Sequence, residues 1–201
     1  MTCAIIAVQG AFAEHERRLA ALGEKVFEVR QASDLKQPFD RLVLPGGEST
    51  AQSKLLSELG LFCSLHDLID QGIPVLGTCA GLILLAQSID GRGDIHDQTN
   101  KTSELDSPVE QLKTLPVGVM RNGYGRQLGS FRTVESFAGE GHIPMTFIRA
   151  PRITQLYSPE VKVLAEVDGS PVAVRFKNQL AVAFHPELDD DPRVLEYFLS
   201  M

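Results

Sequence analysis

Three short segments of the 201-residue chain hold residue types that could do chemistry. The first is Gly77-Thr78-Cys79-Ala80-Gly81, which follows the apolar run Ile73-Pro74-Val75-Leu76 and precedes Leu82-Ile83-Leu84-Leu85. A nucleophile two residues from a glycine on either side, between strand and helix, is the pattern of a nucleophile elbow, here with cysteine in place of serine. The tight turn exposes the side chain, small neighbours leave room for the bend, and the helix start favours a thiolate. A buried cysteine at a glycine-rich turn fits the same letters, because free cysteine packs as a small apolar residue. The second segment is Phe184-His185-Pro186-Glu187, at the end of the apolar run Leu180 to Phe184. Proline keeps the residue before it extended, and residues two apart on an extended chain share a side, so Glu187 can support His185. A histidine held by a carboxylate and facing a cysteine is a nucleophilic triad; a strand-end histidine in a turn is the plain alternative. The third is Leu44-Pro45-Gly46-Gly47-Glu48-Ser49-Thr50, a turn whose backbone N–H groups could stabilise an oxyanion, with Ser49 or Thr50 as the cap of a following helix. It lacks the lysine of a phosphate-binding loop, which argues against nucleotide binding.

The elements around these segments predict how they are positioned. Cys3 to Val8 reads as a strand, Ala13 to Leu22 as a helix stopped at Gly23, and Val26 to Val29 and Arg41 to Leu44 as further strands. Helices are expected from Ser49 or Thr50 to about Leu59, over Phe62 to Asp70 and from Leu82 to Gln87, with a buried strand at Ile73 to Leu76. Short apolar strands alternating with helices predict an α/β fold of three layers: a mostly parallel central sheet with helices on both faces and sites at the carboxyl ends of strands. The polar stretch from Ile89 to Lys113 reads as a surface insertion. Strand candidates then recur at Val117 to Met120, Phe131 to Val134, Met145 to Ile148, Val161 to Val167, Val172 to Phe176 and Leu180 to Phe184, which predicts β-hairpins added to the sheet. A last helix is expected over Pro192 to Leu199. No repeat or linker divides the chain, so residues 1–201 are expected to form one domain.

Composition narrows the function classes. Hydrophobic residues make up 43% and charged residues 22%, as in ordinary globular proteins. The net charge is -7 and no basic block occurs, which argues against nucleic acid as a partner. No apolar stretch is long enough to span a membrane and the N-terminus lacks a signal-peptide pattern, so a cytoplasmic location and no membrane partner are expected. Cys3, Cys63 and Cys79 are too few and too scattered for a disulfide framework, and no cysteine or histidine pair suggests a metal site. Neither a metal nor a cofactor is expected, and Cys3 and Cys63 are expected to be structural.

Together the three segments resemble the class I (triad) glutamine amidotransferases. More narrowly, the chain resembles the PdxT-type glutaminase subunits of pyridoxal 5′-phosphate synthase. The resemblance spans the whole chain, through Val8-Gln9-Gly10-Ala11, Glu14-His15, Leu44 to Thr50, Gly77 to Leu82, Ser130-Phe131 and Phe184 to Leu188. Arg121-Asn122-Gly123-Tyr124-Gly125-Arg126-Gln127 and Phe147-Ile148-Arg149-Ala150-Pro151 carry its narrower part. It implies that Cys79 attacks the amide of glutamine to form a γ-glutamyl thioester, that His185 moves the protons, and that Glu187 orients the imidazole. It also implies an oxyanion hole at Gly47 and Ala80, and glutamine held by Gly47, Glu48, Ser49, Arg121, Ile148 and Arg149. Ammonia would pass to a (β/α)₈-barrel synthase subunit that makes pyridoxal 5′-phosphate, with Gln9, Gly10 and His15 near that interface. The insertion, and Gly129 before Ser130, depart from the pattern but lie away from the triad. A glutaminase subunit serving another synthase shares the elbow and His-x-Glu but not the two narrower segments. A DJ-1 or PfpI-like enzyme would place histidine directly after the cysteine, where Ala80 stands, and a silent binding module would have no use for all three triad residues.

Overall fold

The computed structural model describes residues 1–90, 109–124 and 129–201. Most of the polar insertion, and Gly125, Arg126 and Gln127, lie outside these residues.

The main sheet has seven strands. Its strands are β1 (Thr2–Ile6), β2 (Lys25–Val29), β3 (Arg41–Leu44), β4 (Val75–Thr78), β10 (Lys162–Val167), β11 (Ser170–Phe176) and β12 (Gln179–Val182), in the order β10-β11-β12-β4-β3-β1-β2. The pairings from β12 through β4, β3 and β1 to β2 are parallel, and β10-β11 and β11-β12 are antiparallel. Every residue of β3, β4 and β12 is buried. This explains why these strands read as unbroken apolar runs rather than as alternation: a parallel strand is covered on both faces. Helices α1 (Phe12–Ala21), α2 (Ser49–Glu58), α3 (Leu61–Asp70), α4 (Ala80–Leu85) and α5 (Arg193–Leu199) complete the layers. One contiguous hydrophobic cluster runs from Cys3 to Phe198 and includes Leu44, Leu76, Leu85 and Phe184.

The second half of the chain differs from expectation in one respect. Only β10 to β12 extend the main sheet. Strands β5 (Ala86–Ile89), β6 (Leu115–Met120) and β9 (Arg152–Leu156) form a separate three-stranded sheet, and β7 (Ser130–Ser136) with β8 (His142–Ile148) forms a two-stranded hairpin. The helix expected from Leu82 to Gln87 instead spans Ala80–Leu85, because Ala86–Ile89 leaves it to pair in parallel with β6.

Candidate active site

Four neighbouring parallel strands, β12, β4, β3 and β1, end at one edge of the sheet and lead into His185, Cys79, Gly46 and Gln9 respectively. At the end of β4 the chain turns so sharply into α4 that Cys79 takes φ 48 and ψ -97, a conformation that residues with a side chain rarely adopt. The bend is tied down where Cys79 N–H donates to Val182 O at 2.9 Å. Its glycines are required by space. A Cβ on Gly81 would stand 2.1 Å from Leu44 O, and one on Gly77 would stand 2.7 Å from Leu85 Cδ1. Ala80 opens α4, so its N–H has no acceptor one turn back in the helix.

His185 sits where β12 has ended. Its N–H donates to Thr146 O at 2.8 Å, and Asp189 accepts from Thr146 N–H at 3.1 Å and from Thr146 Oγ1 at 3.0 Å, so the loop is fastened to β8. Glu187 reaches the ring by a route other than strand alternation: Pro186–Leu188 is a single 3₁₀ turn that brings the carboxylate back to the Nδ1 edge of the imidazole. Its Oε1 lies 2.7 Å from His185 Nδ1. Both side chains are buried, which strengthens the pair relative to an exposed one. Burial alone works against a charge on His185, but the Cys79 side chain and the Glu187 carboxylate outweigh it and push the ring up to about 10. An imidazolium in this place attracts the negative charge that sulfur must carry to attack. Gly46 lies against both groups, since a Cβ there would stand 2.9 Å from His185 Nδ1 and 3.4 Å from Cys79 Cβ. Cys79 Sγ contacts Ile148 O at 3.9 Å, a weak partner that can be released.

The glycine turn after β3 is held from the β1 side. Ala11 N–H donates to Gly46 O at 2.9 Å, and Glu48 N–H donates to Gln9 Oε1 at 2.8 Å. Gln52 Nε2 donates to Gln9 O at 2.9 Å and to Pro45 O at 3.1 Å. The cap of α2 is Glu48, not Ser49 or Thr50: its carboxylate accepts from Thr50 N–H at 3.0 Å and from Ala51 N–H at 2.6 Å. A carboxylate reaches both N–H groups and suits the positive end of the helix, whereas Ser49 already lies within the first turn, buried. Burial opposes charge on Glu48, but these bonds and Arg121, whose Nη2 lies 3.3 Å from Glu48 Oε1, keep its carboxyl below the usual value.

The expected residues therefore divide. Cys79, His185, Glu187, Gly46 and Ala80 gather at the bend, Gly47 packs against Gln9, Gly10 and Gln52, Glu48 and Arg121 pair with each other, and Ile148 O meets the thiol. Arg149 is exposed just beyond β8 with φ 44, and no carboxylate among the described residues pairs with it. Gln9 and Gly10 are half-buried and brace the glycine turn. His15, expected near the partner interface, has its side chain turned inward. Its ring is 0% exposed, with Nε2 at 3.1 Å from Thr78 Oγ1 and 3.3 Å from Glu187 Oε2, so it faces the interior of the site. Sequence reading did not find Thr78, Gln52, Thr146 or Asp189. Apart from Pro45, which Gln52 meets within the same turn-and-helix segment, their partners are remote in sequence, and no local spacing marks them. Cys3 is buried and Cys63 exposed. Among the described residues no cluster of acidic, cysteine or histidine side chains could hold a metal ion, and no helix is long and apolar enough to cross a membrane.

A cysteine on a strained strand-to-helix bend, beside a histidine–carboxylate pair on a mostly parallel sheet, places the chain among the glutamine amidotransferases by fold and site. A solved structure described as a glutamine amidotransferase is 37% identical and superposes with a TM-score of 0.86, over 98% of this chain and 97% of that one. A glutamine amidotransferase from Thermotoga maritima shares the fold at a TM-score of 0.56 and 14% identity, over 99% of this chain and 80% of that one. The chain belongs to the SNO glutamine amidotransferase family, whose profile matches residues 5–201. Among its relatives, the pyridoxal 5′-phosphate synthase subunit PdxT of Methanocorpusculum labreanum is 54% identical, covering 100% of this chain and 97% of the relative. The protein of the same name from Desulfitobacterium hafniense is 48% identical over 100% of this chain and 92% of the relative.

Proposed function

We propose that this chain is a single-domain glutaminase that hydrolyses L-glutamine to L-glutamate and ammonia, and hands the ammonia to a synthase subunit for pyridoxal 5′-phosphate synthesis. The observation that carries the reading is the buried His185–Glu187 pair, 2.7 Å apart, beside a cysteine held at positive φ. Cys79 sulfur attacks the side-chain carbonyl carbon of glutamine. His185, oriented by Glu187, holds the thiol's proton as an imidazolium and gives it to nitrogen as the C–N bond breaks and ammonia leaves. A γ-glutamyl thioester remains on Cys79. Water, deprotonated by His185, then breaks the C–S bond and releases glutamate. Backbone N–H groups of Gly47 and Ala80 stabilise the oxyanion of both tetrahedral intermediates, each donor contributing about 3 kcal/mol.

Glutamine is held by Gly47, Glu48, Ser49, Arg121, Ile148 and Arg149. Arg149, with no carboxylate partner among the described residues, offers a bidentate fork to the substrate's carboxylate. The partner is a (β/α)₈-barrel synthase subunit in the cytoplasm. Gln9 and Gly10 lie near that interface, and they also hold the glycine turn, which gives docking a route to the oxyanion hole. Full-length identity of 54% to a protein named as a subunit of that synthase supports this partner over other ammonia acceptors.

The test is ammonia release from glutamine with and without the cognate synthase subunit. A slow isolated chain that the synthase accelerates is the expected result. Fast turnover indifferent to the synthase would remove the partner, and no turnover in either state would remove the glutaminase.

A further inference from the structure

Glu187 has two carboxylate oxygens, and the chemistry above uses one. Oε1 meets His185. Oε2 is buried and makes no aligned hydrogen bond among the described residues, and the cation-capable atom that approaches it is His15 Nε2, at 3.3 Å. The same Nε2 lies 3.1 Å from Thr78 Oγ1. His15 comes from the first turn of α1, and that helix grips the Glu187 loop a second time through Arg18, whose Nε donates to Glu187 O at 3.3 Å and whose Nη2 pairs with Asp190 at 2.7 Å. Thr78, His15, Glu187, His185 and Cys79 thus form a circuit that starts and ends on adjacent residues.

The proton on His15 can be assigned by elimination. With hydrogen on Nδ1, the Nε2 lone pair would face a carboxylate oxygen, and an N–H would be buried without an acceptor, since Nδ1 has no partner among the described residues. With hydrogen on Nε2, the N–H meets Thr78 Oγ1, the polar edge of the ring lies 3.3 Å from Glu187 Oε2, and only a lone pair goes unused. Burial keeps the ring from charging, and Glu187 offsets this only in part. A neutral donor suits the site, because a second imidazolium would compete with His185 for the same carboxylate. Burying a polar ring with one nitrogen unsatisfied is costly where an apolar side chain would pack as well.

We propose that His15 is a positioning residue for glutamine hydrolysis: its Nε2–H, anchored on Thr78 Oγ1, sets the polar edge of the ring 3.3 Å from Glu187 Oε2 and holds the carboxylate so that Oε1 stays on His185. The role rests on the glutaminase reading, and two measurements separate them. The first is steady-state glutaminase kinetics with the synthase subunit present. The His15→Leu variant loses roughly ten- to a hundred-fold in kcat, the scale seen when groups that orient ligand side chains are removed from metal sites, with KM unchanged. The His15→Gln variant, whose amide nitrogen reaches the Nε2 position, recovers most of this, and His15→Asn, which is too short, does not. The second is the alkylation rate of Cys79 by iodoacetamide in the isolated chain, read by peptide mass so that Cys63 is counted apart. His15→Leu slows it in the wild-type background and has no further effect in a Glu187→Gln background, because the histidine acts through that carboxylate. Unchanged kcat in His15→Leu, no distinction between the Gln and Asn variants, or equal slowing in both backgrounds overturns the role. A wild type that releases no ammonia defeats the glutaminase reading, while the alkylation cycle still decides the link from His15 to Cys79.

Discussion

At His185 two opposing effects meet, and their balance sets how the site responds to pH. Burial disfavours charge on the ring, yet the sulfur and carboxylate beside it win and raise it from 6.5 to about 10. Glu187 moves the other way: burial opposes its charge, but the polar Nε2–H edge of His15 and the His185 ring hold it below 4.5. The raised histidine contributes stability that is complete below 6.5 and fades as pH rises towards 10. The lowered glutamate contributes stability that is present above 4.5 and fades as pH falls further. The pair therefore stabilises most between those two values. Urea unfolding of the wild type should lose midpoint between pH 6.5 and 10 more steeply than that of the Glu187→Gln variant; parallel curves would show that the pair carries no linkage. The same substitution should cut kcat by roughly 10⁴-fold, as loss of the orienting acid does in serine triads. Arg149→Ala should raise the KM for glutamine about tenfold or more while changing kcat little, because a charge-assisted fork binds ground and transition states alike. An unchanged KM would place the substrate carboxylate elsewhere.

At the scale of elements, the glycine turn after β3 acts as the wall behind the histidine. In Gly46→Ala the new methyl group would stand 2.4 Å from His185 Cε1, so the ring must move. This variant should keep its far-ultraviolet circular dichroism and lose at least about a hundredfold in kcat, since a shift of about 1 Å at a catalytic group costs that much. Retained activity would mean that the ring has another place to go. Gly81→Ala instead meets a backbone carbonyl, Leu44 O, and should destabilise the fold by about 1–3 kcal/mol in urea titration. These elements were legible in sequence to different degrees. β3 and β4 read plainly because a strand buried on both faces is an unbroken apolar run. β5 did not, because Ala86 continues the apolar run of α4 and only its pairing with β6 ends the helix. Nor did β9, whose Arg152-Ile153-Thr154-Gln155-Leu156 has a single buried residue, Ile153. Glu48 as a cap was missed because serine and threonine next to it are the usual cap residues.

Across the whole molecule, the site exists because four parallel strands end together. The elbow and the His-Pro-Glu segment are legible one at a time, since each carries its own turn chemistry. Their meeting is a property of the order β12-β4-β3-β1, which no local pattern encodes. The inward place of His15 belongs to the same class. As a polar residue on an amphipathic helix it could have faced solvent, and only contact with Glu187, far along the chain, shows that it does not. Convergence of these strand ends on one thiol is the central claim, and it has a direct test. The complex with the synthase is given glutamine, quenched in acid during turnover and mapped by peptide mass. A γ-glutamyl group on the Cys79 peptide, absent from those of Cys3 and Cys63 and lost together with ammonia release in Cys79→Ala, is the predicted result. Ammonia release that survives Cys79→Ala, or an adduct on another residue, would contradict it.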